Sequence, residues 1–272
     1  MLLEMIIIIA VVLLCMYIGL ALYAFLFTDR ILYPAPPSSY QDNEDILKLE
    51  TASGLSITAN HIEKPGAEYT VLYCHGNAED LGTAKANYTL LGIRGGYNVL
   101  AFDYPGYGTS EGKPDETKLI ETVEAAYKYL TTEKRIPGNR IIIYGRSLGG
   151  GPGTDLASRK PVGGLILEAS FTSVHRVATR IGILPWSYFD NLGKIQSIQC
   201  PVLIMHGGGD HVIPFHHGKT LFARALEPKL SLWVDYAGHG DPFLQAAGNA
   251  YWKKLEQFQK LVETHQAESS NS

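Results

Sequence analysis

An apolar run that ends in a cluster of glycines constrains this chain more than any other feature. Residues 141–144 are Ile-Ile-Ile-Tyr, and the sequence GRSLG follows at positions 145–149, which is the pattern G-x-S-x-G. Such a turn takes the chain from a strand into a helix within about two residues, so small residues are required on both sides of the serine. The pattern therefore predicts that Ser147 is held out of a β-sheet as a nucleophile.

The chain contains a second copy of this pattern, the sequence GTSEG at positions 108–112. This copy lies beyond the strand that we expect over residues 98–103, in a loop rich in proline and glycine, and no helix begins at its serine. We therefore expect Ser147 to be the nucleophile, and we interpret Ser110 as part of a turn.

A serine hydroxyl becomes a good nucleophile only when a histidine accepts its proton and a carboxylate orients that histidine. Asp210 follows an apolar strand expected over residues 201–205, and His239 follows another expected over residues 230–234. Because the carboxyl ends of parallel strands gather at one edge of a sheet, these groups are expected to meet there. The sequence thus gives Ser147, Asp210 and His239 as candidate catalytic residues.

The tetrahedral intermediate of such a reaction also needs hydrogen-bond donors for its oxyanion. A strand over residues 69–73 opens into the sequence HGN at positions 75–77, so that the backbone N–H of Asn77 and that of Leu148 can point at one place. These two amides are the candidate oxyanion hole. His75 is interpreted as a residue that braces this loop.

Several further motifs accompany these residues. They are RILYP at positions 30–34, HGNA at 75–78, DYPGYG at 103–108, GGGP at 149–152, LEASFTS at 167–173, HG at 206–207 and AGH at 237–239. With them the chain resembles the α/β-hydrolase superfamily, and within it the membrane-anchored ABHD-type hydrolases with a short lid. The resemblance extends from Asp29 to about Leu261, and it implies hydrolysis of esters or thioesters, with lipids, S-acylated proteins or peptides as the substrates of different relatives.

The resemblance leaves one choice and shows one departure. Some relatives take the catalytic acid from the strand that ends at Glu168, but we prefer Asp210 because it completes the pattern His-Gly-x-x-Asp that begins at His206. The departure is the pair Gly208-Gly209 before that aspartate, where relatives usually carry more polar residues. This pair is expected to loosen the loop that carries the acid.

Strands and helices alternate along the chain, and the alternation predicts an α/β-hydrolase fold with a mainly parallel eight-stranded sheet covered by helices on both faces. A β-hairpin over residues 46–51 and 55–62 is expected to begin that sheet. The hydrophobic content of 46% and the 28 glycines suit one large α/β domain. We expect this domain over residues 46–265, with a short lid insertion at 171–197 and a polar tail at 266–272.

The N-terminus carries no charge between Met5 and Phe27. A helix over these residues, at ~1.5 Å per residue, is long enough to cross a ~30 Å hydrocarbon core. We expect a transmembrane anchor over residues 1–28, so that the protein is single-pass and contacts the bilayer through residues 5–27. A cleaved signal peptide is the competing interpretation, but Glu4 and the absence of a positive start disfavour it.

An extended spacer with three prolines is expected to follow the anchor over residues 29–45. Arg30 is the one basic residue near the anchor, and by the rule that positive charge stays inside it indicates a cytoplasmic catalytic domain.

The insertion at 171–197 contains an apolar aromatic group, and Trp186 and Phe189 are its candidates for binding substrate. Packing on the rim of the sheet is the competing interpretation. The length of the insertion excludes a large lid domain.

Other classes of function are disfavoured. The net charge of −4 provides no basic field, so nucleic acid is not an expected partner. Four histidines between His206 and His217 match no zinc spacing, and no metal site is expected. The three cysteines predict buried thiols and no disulfide framework.

The sequence therefore predicts a membrane-anchored serine hydrolase that cleaves esters or thioesters through an acyl-enzyme and needs no cofactor. A serine peptidase of the same fold and a catalytically silent membrane interaction module are the alternatives.

Overall fold

The computed structural model describes residues 1–179, 188–240 and 243–270. It separates into two compact units, Met1–Pro34 and Ala35–Ser272. The first unit contains the helix α1 (Leu2–Leu32), which is apolar for most of its length and ends just before Pro34, where the proline ring disfavours a further helical residue.

The second unit is built on one eight-stranded sheet. Its strands are β1 (Ile46–Glu50), β2 (Ser56–Ile62), β3 (Thr70–Cys74), β4 (Asn98–Phe102), β5 (Ile141–Arg146), β6 (Gly164–Glu168), β7 (Val202–Gly207) and β8 (Lys229–Val234). They lie in the order β1-β2-β4-β3-β5-β6-β7-β8. The strand β2 pairs antiparallel with β1 and β4, and all later pairs are parallel. The expected hairpin and the expected mainly parallel sheet are both confirmed.

Helices connect the parallel strands or, in the case of the last two helices, follow the last strand. They are α2 (Lys85–Ile93), α3 (Glu116–Lys128), α4 (Gly150–Arg159), α5 (Val174–Thr179), α6 (Asn191–Ile195), α7 (His216–Arg224), α8 (Phe243–Ala247) and α9 (Asn249–Ser270). Every residue of β3 and β6 is buried, and so is every residue of β7. Parallel strands covered on both faces are continuous apolar runs for this reason, and these runs form the core.

Contacts outside the helices shape the ends of α2 and α3. Helix α2 begins at Lys85, after a turn in which the Asp80 carboxylate accepts hydrogen bonds from the backbone and hydroxyl of Ser39 and from the backbone of Thr83. Helix α3 ends in a π-helical turn over Tyr129–Glu133.

The C-terminal segment forms two helices, and the second extends into the residues expected to form the polar tail. Gly248 has a φ of +54°, which interrupts the helix between α8 and α9. Helix α9 then continues to Ser270, and its Gln266 side chain donates to the carbonyl of Asn139 at 2.6 Å. The polar C-terminal residues up to Ser270 are therefore helical.

Candidate active site

The nucleophile elbow has the geometry that its glycines demand. Strand β5 ends at Arg146, Ser147 has a φ of +50°, and a 3₁₀ turn over Ser147–Gly149 leads into α4. A Cβ on Gly145 would lie 2.6 Å from the carbonyl oxygen of Gly149, and a Cβ on Gly149 would lie 2.1 Å from that of Cys74. The predicted passage from strand to helix is confirmed, and the left-handed backbone at Ser147 is the strain expected of an elbow.

The serine of the second G-x-S-x-G copy lies in a different environment. Ser110 is buried, donates to the carbonyl of Asp103 at 3.0 Å and accepts from the N–H of Thr58 at 2.8 Å. These two hydrogen bonds hold its loop against β2 and against the end of β4. Ser110 therefore has the structural role that the sequence indicated.

The three candidate catalytic side chains form one hydrogen-bonded chain. The carboxylate of Asp210 can only accept, so Nδ1–H of His239 donates to its Oδ2 at 2.8 Å. This leaves Nε2 of His239 as an acceptor for the hydroxyl of Ser147 at 2.9 Å. Ser147 follows β5, Asp210 follows β7 and His239 follows β8, so the carboxyl edge of the sheet brings together residues that lie far apart in the sequence.

The backbone of its own loop fixes Asp210. Its Oδ1 accepts from the N–H groups of Ile213 at 2.7 Å and Val212 at 3.0 Å, so that Oδ2 remains for His239. Burial by itself raises the pKa of this carboxyl, but hydrogen bonds from His206, His239 and the Ile213 N–H outweigh it and hold the pKa below its usual range. The group is therefore an ionised acceptor at neutral pH.

The alternative acid, Glu168, is engaged elsewhere. Its Oε1 accepts from Nε of Arg146 at 3.1 Å, and its Oε2 accepts from the hydroxyl of Tyr144. Burial raises the pKa of the Glu168 carboxyl above its usual value. Of the two carboxylates, Asp210 is the one that contacts the imidazole of His239.

The glycine pair before Asp210 does not loosen its loop. The N–H of Gly208 donates to the carbonyl of Val234 at 2.9 Å, and that of Gly209 donates to the carbonyl of Ala237 at 3.1 Å. A Cβ on Gly208 would lie 2.5 Å from the carbonyl oxygen of Asp235. The expectation of a loose loop is therefore wrong, because the acid loop and the loop that carries His239 pack backbone against backbone.

The candidate oxyanion loop, residues 75–79, is held by tyrosines from the loop after β4. The hydroxyl of Tyr107 donates to Oδ1 of Asn77 at 2.7 Å, and the hydroxyl of Tyr104 donates to the carbonyl of His75 at 3.1 Å. His75 is buried, and its Nε2 lies 3.3 Å from Oδ1 of Asp103. Burial by itself lowers the pKa of His75, but Asp103, the carbonyl of Gly76 and Glu79 together outweigh it and raise the pKa. These contacts agree with a bracing role for His75.

The candidate substrate-binding residues differ in what can be said of them. Trp186 lies outside the described residues. Phe189 is fully buried, and a Cβ on Gly151 of α4 would lie 2.5 Å from its ring. Its backbone has a φ of +47°, and its N–H donates to the carboxylate of Glu116 at 2.6 Å. These contacts fix the end of the insertion on α3 and α4, and contact of Phe189 with a substrate stays a prediction.

Two of the clustered histidines have structural contacts. Nε2–H of His206 donates to the carbonyl of Ile213 at 2.8 Å and also lies 3.4 Å from Oδ2 of Asp210, and Nδ1 of His217 accepts from the N–H of Thr172 at 3.2 Å. Among residues 1–179, 188–240 and 243–270 no group of three or more acidic, histidine or cysteine side chains is placed to hold a metal ion.

Two charged residues beside the elbow, Arg146 and Glu79, were not predicted from the sequence as part of the site. Arg146, which precedes Ser147, donates from Nη1 to Glu79 at 2.6 Å and from Nη2 to the carbonyl of His239 at 3.2 Å. Arg146 is part of the motif GRSLG and Glu79 is part of HGNAE, but their ion pair joins residues that are distant in the sequence and cannot be predicted from either motif alone.

Comparisons with known proteins agree with this architecture. Residues 65–189 match the family model described as serine aminopeptidase, S33. The chain is 40% identical over 230 residues to alpha/beta hydrolase domain-containing protein 17B of Homo sapiens, which covers 83% of this chain and 79% of that relative. It is equally similar to the Xenopus tropicalis protein of the same name, at 40% identity over 83% of this chain and 79% of the relative.

Solved structures show the same fold at lower identity. The Pyrococcus furiosus esterase Pf2001 superimposes with a TM-score of 0.68 at 20% identity, over 84% of this chain and 99% of the esterase. An alpha-beta serine hydrolase homologue from Coxiella burnetii gives a TM-score of 0.62 at 17% identity, over 80% of this chain and 98% of its own. At these identities the likeness concerns the fold.

Proposed function

This chain is a member of the α/β-hydrolase superfamily, of the type of α/β-hydrolase domain-containing protein 17, and on that premise we propose that it is a membrane-anchored serine hydrolase of carboxylic esters or thioesters. One observation carries the proposal. It is the hydrogen-bonded chain in which Oγ of Ser147 lies 2.9 Å from Nε2 of His239, and Nδ1 of His239 lies 2.8 Å from Oδ2 of Asp210. The chain begins at the residue with left-handed backbone in the strand-to-helix turn.

In the proposed reaction the Ser147 oxygen attacks the carbonyl carbon while Nε2 of His239 takes the hydroxyl proton. The carbonyl oxygen becomes an oxyanion, which the N–H groups of Asn77 and Leu148 stabilise. His239 then gives its proton to the leaving alcohol or thiol, and an acyl-enzyme on Ser147 remains. Water, deprotonated by the same histidine, attacks this ester and releases the acid.

Asp210 keeps His239 in the tautomer that the first step requires. Its ionised Oδ2 accepts from Nδ1–H, which leaves the Nε2 lone pair directed at Ser147. An imidazolium that forms during attack is also stabilised by the adjacent carboxylate. This residue does not itself exchange a proton with the substrate.

The proposed anchor is α1. The stretch Leu2–Asp29 contains an 18-residue window with a mean hydropathy of 3.0 that is 0% buried, which supports a membrane span by length and composition. A cleaved signal sequence passes the same test, and the start of the chain, with Glu4 and no basic residue, favours the uncleaved anchor. We assign the catalytic unit to the cytoplasmic side from Arg30.

A site tethered to a bilayer meets substrates that are themselves held in the membrane at high local concentration. This supports lipid esters and S-acylated proteins as the substrate class. Peptide hydrolysis is the enzymatic alternative, because the matching family model is that of serine aminopeptidases. A silent interaction module is the other alternative.

A substrate panel tests the proposal on full-length protein in detergent. We expect hydrolysis of 4-nitrophenyl esters and of acyl thioesters, and none of aminoacyl 4-nitroanilides. Preference for the nitroanilides would favour the peptidase, and inactivity on all three together with no fluorophosphonate labelling would favour the silent module. The same panel in Ser147→Ala controls for contaminating esterases.

A further inference from the structure

The guanidinium of Arg146 joins separate parts of the candidate site. Besides its bonds to Glu79 and to the carbonyl of His239, its Nε donates to Oε1 of Glu168 at 3.1 Å. Its side chain is 11% exposed. One planar group therefore contacts the oxyanion loop, the loop that carries His239 and the end of β6 at once.

Glu79 passes the contact on to the backbone of the oxyanion loop. Its Oε2 accepts from the N–H of Gly76 at 2.7 Å, while its Oε1 accepts from Arg146 at 2.6 Å. A Cβ on Gly76 would lie 2.9 Å from that Oε2 and 3.0 Å from Nη1 of Arg146. The loop that carries Asn77 is thus packed directly on the Arg146–Glu79 pair, and its glycine makes this approach possible.

Glu168 gives the guanidinium a rigid support. It is 5% exposed at the carboxyl end of β6, and the hydroxyl of Tyr144 on the neighbouring strand donates to it. The hydroxyl of Tyr144 also lies 2.8 Å from that of Tyr251 on α9. The position of Arg146 is therefore fixed by the sheet and by α9 as well as by the loops.

Burying these charges has a cost. Replacement of a buried ion pair by apolar residues is often neutral or stabilising, so stability alone does not explain an arginine between two carboxylates here. The arginine is explained by geometry. The N–H groups of its planar guanidinium have fixed directions and lie on three nitrogens, so they hold three separate acceptors at fixed positions, whereas the donors of a lysine ammonium rotate about one nitrogen.

On the basis of the proposed function, we propose that Arg146 is a positioning residue. Through Glu79 it fixes the oxyanion loop, and through the carbonyl of His239 it fixes that histidine, both relative to the adjacent Ser147. Displacement of a catalytic group by about 1 Å can cost about 10²-fold in rate, so loss of this link should slow attack without weakening substrate binding. Arg146 does not touch the reacting atoms.

The test compares Arg146→Lys and Arg146→Gln with wild type and with the matched control Arg159→Lys. Arg159, on α4, pairs with Asp155 at 2.6 Å and with Glu124 at 3.6 Å, and among the described residues neither partner belongs to the loops around Ser147. Arg146→Lys keeps the buried positive charge, and it remains informative if Arg146→Gln fails to fold. Full-length proteins in detergent are assayed with 4-nitrophenyl butyrate, a fluorophosphonate and an alkyl trifluoromethyl ketone, whose tetrahedral adduct bears an oxyanion.

For Arg146→Lys we expect kcat and the fluorophosphonate labelling rate constant to fall by about 10- to 100-fold, with KM within about threefold of wild type. The inhibition constant of the trifluoromethyl ketone should rise in proportion to the fall in kcat/KM, because both report the oxyanion geometry. Arg159→Lys should keep wild-type values. Combining Arg146→Lys with Glu79→Gln should cost less than the product of the single effects, because both break one link.

A merely structural role predicts a different result. The labelled fraction would fall, but the molecules that do label would react at the wild-type rate and the inhibition constant would not move, and this would overturn the proposal. Multiplicative effects of the Arg146 and Glu79 substitutions would also overturn it. The two possible failures can be told apart. If the wild-type protein does not label at Ser147, the proposed function itself is refuted. If the wild-type protein labels and Arg146→Lys labels at the same rate, the role proposed for Arg146 alone is refuted.

Discussion

Asp210 contacts Nδ1 of His239 at 2.8 Å, whereas Glu168, the other carboxylate that follows a neighbouring strand, is held by Arg146 and Tyr144. The imidazole is therefore oriented by the acid of the loop after β7. This relationship distinguishes two acids that the sequence alone left open.

Replacing Asp210 by asparagine is expected to lower kcat on short esters by about 10³- to 10⁴-fold, because the amide stabilises the wrong tautomer of His239. Glu168→Gln should lower it by about 10-fold, through the support of Arg146. Steady-state kinetics of both variants check this. A large loss of kcat in Glu168→Gln together with a small loss in Asp210→Asn would identify Glu168, at the end of β6, as the catalytic acid.

The elbow is expected to tolerate no side chain at Gly149. An alanine Cβ there would lie 2.1 Å from the carbonyl oxygen of Cys74, so that the backbone of β3 or α4 must move. We expect a destabilisation of more than about 3 kcal/mol, or at least about 6 °C in thermal midpoint. Gly240→Ala, whose Cβ would meet no atom of the described residues within 4 Å, is the control and should melt within about 2 °C of wild type. Equal midpoints would show that the elbow is not tightly packed.

The free energy of unfolding is expected to decrease as the pH is lowered, because His217 binds a proton more readily in the unfolded state. Burial, with His216, His206 and Arg176 nearby, lowers its pKa to about 4, and its Nδ1 must stay unprotonated to accept from Thr172. The unfolded histidine, with a pKa of about 6.5, binds more protons between pH 6.5 and 4, so the native state loses about 1–2 kcal/mol from pH 7 to pH 5.

Thermal melts of wild type and His217→Asn at several pH values measure this effect. Asparagine keeps an acceptor for Thr172 but does not titrate, so the difference in midpoint between the proteins should shrink from pH 7 to pH 5. Asp210 affects stability over a lower range of pH. Because its pKa is depressed in the folded state, its contribution to stability is complete above about pH 4 and is lost as the pH falls below that value. A wild-type profile that is parallel to that of His217→Asn would refute the assignment to His217.

The anchor makes a separate prediction. Removal of residues 1–27 should give a protein that still cleaves short soluble esters, since the proposed catalytic groups lie in the compact unit Ala35–Ser272. Activity on long-chain esters in vesicles should fall much further, because the tether no longer concentrates enzyme and substrate on one surface. Equal losses on both substrates would contradict the idea of a surface substrate.

Fractionation of the full-length protein tests the span itself. A bilayer-spanning helix resists high salt and alkaline carbonate and is released by detergent. Recovery in the soluble fraction with a mature N-terminus near Thr28 would instead establish a cleaved signal peptide.

The sequence predicted the parts of the site whose chemistry demands a local pattern. Gly145 and Gly149 are needed because of backbone contacts within the elbow, and this is visible in five consecutive residues. The strands that carry Asp210 and His239 are visible because a buried parallel strand is a continuous apolar run.

Other features arise only from contacts between distant segments. Arg146 and Glu79 are 67 residues apart, and the turn before α2 is held by a bond between Ser39 and Asp80, 41 residues apart. Neither pair has a local signature. The packing of Gly208 against Asp235 likewise cannot be read from a glycine pair, which by composition alone indicates flexibility.

The most direct measurement is the identification of the residue that a fluorophosphonate modifies, by mass spectrometry of peptides from wild type, Ser147→Ala and Ser110→Ala. We expect the adduct on Ser147 in wild type and in Ser110→Ala, with ester hydrolysis retained in both, and neither adduct nor hydrolysis in Ser147→Ala. An adduct on Ser110, or hydrolysis that survives Ser147→Ala at the wild-type rate, would contradict the assignment of Ser147 as the nucleophile.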